Sequence, residues 1–292
     1  MTTRRNCLRN LLFAALLAIA CALLLAASAK SSAQKLKPED VVTRHLESIG
    51  SAKERGAIKT RIISGTSQVV FHTTPIGQAV GRAVLASEGI KNLIGMSFPS
   101  PVYPREELGF NGNSFIAAYS TPGNRSSLGS FLMTHDLIFK QGLMGGTLSS
   151  AWPLLDLTAR GAQLEYAGTR KMDNRTLHEL KYMPHKGSDL KISLFFDQQD
   201  FQHVRTEYER VIAASTSDRS YVAGVTRETR YKMVEEFSEF RKEGGLNLPH
   251  SYKIKLTIDS PSGTFLADWT ISLTQFAFNQ PIDPDSFSII SK

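Results

Sequence analysis

Residues 265–274, Phe-Leu-Ala-Asp-Trp-Thr-Ile-Ser-Leu-Thr, carry the pattern that decides the fold class of this chain. Apolar residues stand at every second position, and all but one of the residues between them are polar. This period of two is typical of a β-strand that buries one face and exposes the other to water. The same alternation recurs at 190–196 and 252–258, so we expect a sheet with one buried face.

Turn signals join these strands into hairpins. Pro261-Ser262-Gly263 separates the two strands nearest the C-terminus, Glu243-Gly244-Gly245 precedes them, and 184–188 leads into the strand of the 190s. Strands do not alternate with helices, and no internal repeat of fixed period is visible. The sequence therefore predicts a mainly β (α+β) fold, with one large antiparallel sheet and a few short helices.

The first half of the chain adds a helix and further strands. Pro38-Glu39-Asp40 is a typical helix start, and the apolar spacing that follows predicts a helix that ends at Gly50. The strand predicted at 58–71 contains Gly65, which indicates a bend or bulge. Further strands are predicted at 78–85, 93–98 and 113–120.

The stretch 125–157 breaks the strand pattern. Leu128, Phe131 and Leu132 have helical spacing, and Gly142, Gly145 and Gly146 then interrupt the chain. We expect one or two short apolar helices joined by flexible glycines, lying between two strand-rich halves.

The N-terminus has the composition of an export signal. Residues 1–33 hold four basic residues and no acid, and a charge-free Leu/Ala run spans 10–29. Small residues at 27–29 and 31–33 fit cleavage near Ala29 or Ala33. We expect a periplasmic protein with the signal at 1–33 and one domain at 34–292. An uncleaved membrane anchor is the alternative, and the secretion route, general or twin-arginine, stays open.

Removing this signal changes the charge and the cysteine content. The net charge of +7 falls by four, to +3. Both cysteines, Cys7 and Cys21, lie in the signal, so a disulfide, a thiolate metal site and a cysteine nucleophile are excluded from the remainder.

Motifs of known chemistry give no catalytic assignment. The chain lacks the common hydrolase, metalloprotease and nucleotide-binding motifs, so no catalytic residue, metal site or cofactor is predicted. Ser188-Asp189-Leu190-Lys191 spells S-x-x-K, but residues three apart in a strand point to opposite faces. Basic and aromatic residues mix at 205–232, yet interspersed glutamates favour cross-strand ion pairs over a nucleic-acid partner.

The order of elements and several local patterns resemble the LolA/LolB-like lipoprotein-carrier superfamily. The C-terminal stretch Phe278-Asn279-Gln280-Pro281-Ile282, followed by Phe287, is similar to the way such chains close. Leu108–Gly112 is similar to the family's f-d-G turn. The stretches 165–182 and 190–197 are similar to its G-r-x-x-y hairpin, although Asn174-Arg175 replaces Gly-Arg.

The resemblance implies a curved, unclosed β-barrel of about eleven strands, covered by short helices. In this family an apolar cavity between sheet and helices holds acyl chains. The carrier proper latches its helix with an arginine beside a proline; here Ser87-Glu88-Gly89 stands at that place, and nearby Arg82 matches no motif. The candidate cavity residues are Leu128, Phe131, Leu132, Ile192, Leu194, Phe196, Ile254, Leu256, Trp269 and Ile271. Periodicity alone does not separate such residues from a filled core.

Three classes of function remain open. The first is a non-enzymatic carrier of lipid or lipoprotein acyl chains, with inner- or outer-membrane acceptor proteins as partners; it requires an apolar interior. The second is a cell-envelope sensor or protein-interaction module on the same fold, with a filled core. The third is a hydrolase or metal enzyme whose site is assembled by the fold from a carboxylate and two or three of His135, His178, His203 and His250.

Overall fold

The computed structural model describes residues 36–213 and 228–290. In these residues twelve strands form a single antiparallel sheet. The predicted signal at 1–33 and its cleavage sites lie outside the described residues.

The bounds of the elements follow the predicted alternation closely. Two helices open the described chain, α1 (Pro38–Ile49) and α2 (Ala52–Ala57), and three short ones lie in the middle, α3 (Ser127–Thr134), α4 (Leu137–Lys140) and α5 (Leu157–Arg160). The strands are β1 (Thr60–Phe71), β2 (Gln78–Glu88), β3 (Lys91–Ser97), β4 (Arg105–Phe110), β5 (Phe115–Ala117), β6 (Gln163–Met172), β7 (Arg175–Met183), β8 (Lys191–Asp197), β9 (His203–Ile212), β10 (Thr229–Glu243), β11 (Leu246–Ser260) and β12 (Gly263–Phe278). Single 3₁₀ turns occur at Gly146–Leu148, Pro153–Leu155 and Pro284–Phe287.

The sheet consists of two meanders joined by the pairing of β1 with β12. Its order is β5-β4-β3-β2-β1-β12-β11-β10-β9-β8-β7-β6, so β5 and β6 are the two edges of an unclosed sheet. This arrangement confirms the predicted mainly β, half-barrel class, with twelve strands where about eleven were expected. The chain between the two edge strands contains three short helices, where the sequence predicted one or two.

Gly65 makes the bulge that the sequence indicated. The register of β1 against β12 shifts between Ser64 and Gly65. A Cβ atom at Gly65 would lie 1.9 Å from the carbonyl oxygen of Ser272, a separation that no side chain tolerates. Glycine is therefore required for β1 to stay paired with β12 through the bulge.

Cross-strand neighbours place the apolar positions of the strands on one face, called here the inner face. One continuous row crosses seven strands and consists of Leu180, Leu194, Thr206, Glu235, Ile254, Trp269 and Val69. All seven side chains are buried, with Glu235, Ile254 and Trp269 fully inaccessible. The row shows that residues two apart along each strand point to the same buried face of the sheet.

The opposite, outer face of the second meander is charged and paired. Arg205 forms ion pairs with Glu207 and Glu236, and Lys232 lies 3.1 Å from Glu207 and 2.9 Å from Glu209. This confirms the cross-strand ion pairs that the sequence indicated, except at Glu235, which was expected on the same wet face and is instead buried on the inner face. Among the described residues, no helix is long and apolar enough to cross a membrane.

Candidate ligand site between the sheet and its covering segment

Residues 126–161, called here the covering segment, lie against the inner face. The segment consists of short helices, 3₁₀ turns and irregular chain, and its three α-helices have eight residues or fewer. Its apolar side chains are nevertheless deeply buried: Ile138, Phe139, Leu143, Met144, Leu148 and Trp152 are each exposed by 1% or less. The segment is therefore part of the core, although it lacks the regular hydrogen bonding of the sheet.

The ten predicted cavity residues all lie at this junction. Those on the strands belong to inner-face rows, and those on α3 belong to the covering segment. Each is buried to 4% exposure or less: Leu128, Phe131, Leu132, Ile192, Leu194, Phe196, Ile254, Leu256, Trp269 and Ile271. All ten are therefore part of the packed interior in this structure. Their role as ligand contacts stays a prediction.

Glu235 is the central polar contact between the sheet and the covering segment. Its Oε1 accepts hydrogen bonds from the Gly145 backbone N–H at 2.8 Å and from the Tyr252 hydroxyl at 2.6 Å. Its Oε2 accepts a hydrogen bond from the Tyr208 hydroxyl at 2.7 Å. Burial raises the pKa of the carboxyl to about 6, partly offset by these three donors. A single acidic side chain thus holds the turn at Gly145 of the covering segment on the inner face.

Further side chains of the sheet hold the backbone of the same turn. Asn92 Nδ2 donates to the Met144 carbonyl at 3.1 Å, and Arg61 Nη1 donates to the Thr147 carbonyl at 2.5 Å. Burial lowers the pKa of Arg61 to about 10, which leaves the guanidinium charged at neutral pH. These contacts satisfy carbonyl groups that a regular helix or strand would satisfy internally.

Residues 87–89, where the resemblance would put the latch arginine, also contact the covering segment. Ser87 Oγ accepts a hydrogen bond from the Ser150 N–H at 2.9 Å, and Ser150 Oγ donates to the Gly89 carbonyl at 3.1 Å. The stretch 87–89 therefore holds the segment without an arginine. Arg82, the nearby candidate, lies in a cross-strand row with Thr66 and Ser97 on the outer face.

A buried histidine–tryptophan cluster anchors the far part of the segment. Trp152 Nε1 donates to His45 Nε2 at 3.0 Å, and His45 Nδ1 lies 3.0 Å from the Phe201 carbonyl. Burial lowers the pKa of His45 to about 4, so the ring is neutral at pH 7. His203 stacks on Trp152 with ring centres 4.5 Å apart, and its pKa is also lowered well below the usual value by burial.

A second buried carboxyl lies where the covering segment begins. Glu106 accepts a hydrogen bond from the Tyr103 hydroxyl at 2.6 Å, and Trp269 Nε1 donates to the same hydroxyl at 2.8 Å. Burial raises the pKa of Glu106 to about 7, opposed by hydrogen bonds from Ser126 and Tyr103. The interior is thus apolar with a few fully partnered acids, each close to the covering segment.

The four histidines considered for a metal enzyme do not converge. His135 lies 3.8 Å from Asp189, while His250 lies 3.0 Å from Glu243. His178 instead contacts Tyr166, and His203 contacts Thr206. Within 36–213 and 228–290, no group of three or more histidine, cysteine or acidic residues is placed to hold a metal ion.

Sequence reasoning missed the polar contacts of the covering segment. Glu235 could have been found, because Met233 and Phe237 flank it at a period of two, which places an acid among buried positions. No pattern of neighbouring residues distinguished Asn92 or Arg61 as a contact of the covering segment. Their partners are backbone carbonyls 52 and 86 residues away, and periodicity contains no information on those pairings.

Comparisons with known proteins give similarity of fold only. No protein-family model and no curated protein matches the sequence. A DUF1329 family protein from Desulfovibrio piger is similar at 10% identity and a TM-score of 0.48, over 86% of this chain and 98% of that one. A LolA superfamily protein from Nitrosomonas europaea is similar at 10% identity and a TM-score of 0.44, over 86% of this chain and 97% of that one. A domain classed with outer membrane lipoprotein-sorting proteins from Vibrio parahaemolyticus is similar at 13% identity and a TM-score of 0.42, over 84% of this chain and 97% of that one. The unclosed antiparallel sheet of this chain is the fold that the sequence predicted.

Proposed function

We propose that this protein is a non-enzymatic carrier that binds the acyl chains of a lipid or a lipoprotein on the inner face of its sheet. The covering segment acts as a lid that leaves the sheet when the ligand enters. The observation that carries the proposal is the way the lid is held: an extensive apolar face is covered by glycine-broken chain, fastened through a few hydrogen bonds rather than by strand pairing.

The energetics of exchange support a movable lid. An acyl chain that replaces Phe139, Met144 and Trp152 on the inner face exchanges one apolar surface for another, so the hydrophobic term changes little. The principal cost is the loss of the hydrogen bonds at Glu235, Asn92 and Ser87. A neutral hydrogen bond contributes about 0.5–1.5 kcal/mol net, and a charged one about 1.5–3 kcal/mol. The cost of opening is therefore these few hydrogen bonds rather than the burial of the apolar face as a whole.

The glycines support the same movement. Gly142, Gly145 and Gly146 all have positive φ, between +51° and +80°. These conformations are ones that glycine adopts and leaves at little cost. A lid that changes shape needs such positions at its turns, and here all three lie within five residues.

Exported location is part of the proposal. The pattern at 1–33 is that of a cleaved signal. A carrier of acyl chains moves them through an aqueous compartment beside a membrane. Membrane-associated acceptor proteins are the partners that such a cargo requires. No metal or cofactor enters this function.

The second candidate is a cell-envelope interaction or sensor module without a ligand. The filled interior favours it, because all ten candidate residues are buried by the protein's own chain. The two candidates differ in one physical property: a carrier requires the covering segment to leave the inner face, and an interaction module does not.

A disulfide that locks the lid tests the proposal. Ser87 Oγ lies 2.9 Å from Ser150 N, so Ser87→Cys with Ser150→Cys puts one cysteine on each side of the junction at neighbouring positions, and the intact mass shows whether the disulfide has formed. A photoreactive fatty acid is added to the oxidised and the reduced protein, and the labelled residues are located by mass spectrometry. We expect labelling of inner-face residues in the reduced form and its loss in the oxidised form, with reduced single variants as controls.

The opposite result is equally clear. Equal labelling of inner-face residues in both forms would show that the lid does not gate the site. An absence of inner-face labelling in both the wild type and the reduced protein would support the interaction module.

A further inference from the structure

A groove on the outer face of the first meander lies away from the covering segment. Its volume is about 810 Å³. Two cross-strand rows form its floor, one through Ser64, Val84 and Gly95 and the other through Thr66, Arg82 and Ser97. No residue of 126–161 belongs to its lining, so the groove is separate from the proposed lid site.

The middle of this groove is apolar and hollow. Gly95 has no side chain, and a Cβ atom there would meet only Val84, at 3.2 Å. Leu93 and Ile289 complete the apolar wall. The position of Ile289 is fixed by the chain after β12: a Cβ atom at Gly109 would lie 2.6 Å from its Cγ1, so the tail packs directly on the β4 backbone.

The charge of the groove is one unpaired cation. Arg82 is exposed, and within the described part of the chain its guanidinium has no hydrogen-bond or ion-pair partner. Glu107 also lines the groove, but Arg105 lies 3.7 Å from its carboxylate and offsets its charge. An anionic group that enters the groove therefore meets a net positive charge at Arg82.

This combination differs from the outer face of the second meander. There, Arg205 and Lys232 each contact two carboxylates, and the strands carry few exposed apolar side chains between them. An arginine without an acid, set beside an apolar hollow, is complementary to a molecule with one anionic end and one apolar end.

We propose that the groove binds a single long-chain fatty acid, with its carboxylate on the Arg82 guanidinium and its alkyl chain along Val84, Gly95 and Ile289. The planar guanidinium donates two parallel hydrogen bonds to a carboxylate. A groove of about 810 Å³ lies within the roughly 300–1,000 Å³ range of small-molecule sites. This site is additional to the proposed lid site and does not depend on it.

Photolabelling of the full protein, isolated from its own cells, tests the site. The probe is palmitic acid with a diazirine in the first half of its chain, and mass spectrometry locates the labelled residues. We expect labels on Val84 and Ile289. Arg82→Gln is expected to weaken probe binding about tenfold through loss of the charged contact. Gly95→Leu, which fills the hollow, is expected to remove the labels at both residues.

Arg241→Gln is the matched control, because Arg241 is exposed, pairs with Glu239 and lies outside the groove. Its labelling should equal that of the wild type. The Arg82 side chain is exposed and makes no hydrogen bond or ion pair within the described residues, so Arg82→Gln is informative even if Gly95→Leu lowers stability. Unchanged labelling in Arg82→Gln, or labels confined to the inner face and covering segment, would overturn the proposal.

The oxidised Ser87→Cys/Ser150→Cys protein separates the two sites. With the lid locked, the groove labels at Val84 and Ile289 should persist while inner-face labels disappear. Loss of the groove labels together with those of the inner face would overturn the separate site and leave the lid site in place.

Discussion

Glu235 shows how much one residue contributes to the proposed lid. Its carboxylate is fully buried, yet all of its contacts are donors: two tyrosine hydroxyls and the Gly145 N–H. Burial of an acid is costly unless such partners satisfy it. The two tyrosines keep the carboxylate in place, and the remaining hydrogen bond is the one that a moving lid would break.

Glu235→Gln should change how stability depends on pH. Because the pKa of Glu235 is about 6 in the folded protein, above the ordinary 4.5, the folded state holds a proton that the unfolded chain has lost between these values. The stabilisation from this group is full below pH 4.5 and is lost as the pH rises to about 6, by roughly 2 kcal/mol in total.

Urea unfolding of both proteins from pH 4 to pH 7 measures this effect. The free energy of unfolding of the wild type, taken relative to Glu235→Gln, should fall by about 2 kcal/mol over that range. Subtraction removes the opposite contributions of His45 and His203, which both proteins share. A difference that does not vary with pH would contradict the burial and partners described for Glu235.

At the scale of elements, the strands were predictable and the lid contacts were not. The period of two at 265–274 correctly placed Trp269 and Ile271 on the buried face, because alternation is a local property of a strand. Glycines correctly marked the irregular middle of the chain. The side chain of Asn92 contacts the carbonyl of Met144, 52 residues away, only in the folded sheet. A local sequence pattern therefore does not predict this contact.

Gly146 is the glycine at which the lid packs most tightly on the sheet. A Cβ atom there would lie 2.9 Å from both His203 Nδ1 and Phe237 Cζ. Gly146→Ala should therefore destabilise the protein by about 1–3 kcal/mol beyond the cost of its backbone conformation. It should also speed amide hydrogen exchange in the lid around Met144.

Gly187→Ala is the control for this change. Gly187 also has positive φ, and a Cβ atom there meets nothing within 4 Å. Both variants carry the backbone cost of alanine at positive φ, so the difference between their unfolding free energies reports the contact with His203 and Phe237. Equal unfolding free energies and unchanged exchange in the lid would contradict the tight packing described.

At the scale of the whole molecule, the fold leaves the chain with one apolar face and one charged face. The unclosed sheet buries the first under the covering segment, which runs between the two edge strands, and under α1, whose His45 ring lies 4.8 Å from that of Phe196. The sequence predicted this organisation through its two strand-rich halves and the helical stretch between them. It did not separate a filled core from a ligand site, because both require the same apolar residues.

The export signal gives a prediction for the whole chain. We expect the protein isolated from its own cells to begin after Ala29 or Ala33, since small residues end the apolar run at both places. The intact mass and the N-terminal sequence of that protein measure this directly. A chain that begins at Met1 and remains in the membrane fraction would instead support the uncleaved anchor.

Native mass spectrometry of the protein isolated from its own cells, followed by denaturation and lipid extraction, tests the carrier function most directly. We expect a bound mass that is released as phospholipid, fatty acid or acylated peptide, and that the oxidised Ser87→Cys/Ser150→Cys protein cannot take up on its inner face. A bare polypeptide mass, with no uptake of a fluorescent fatty acid by the wild type, would contradict the carrier function and favour the interaction module.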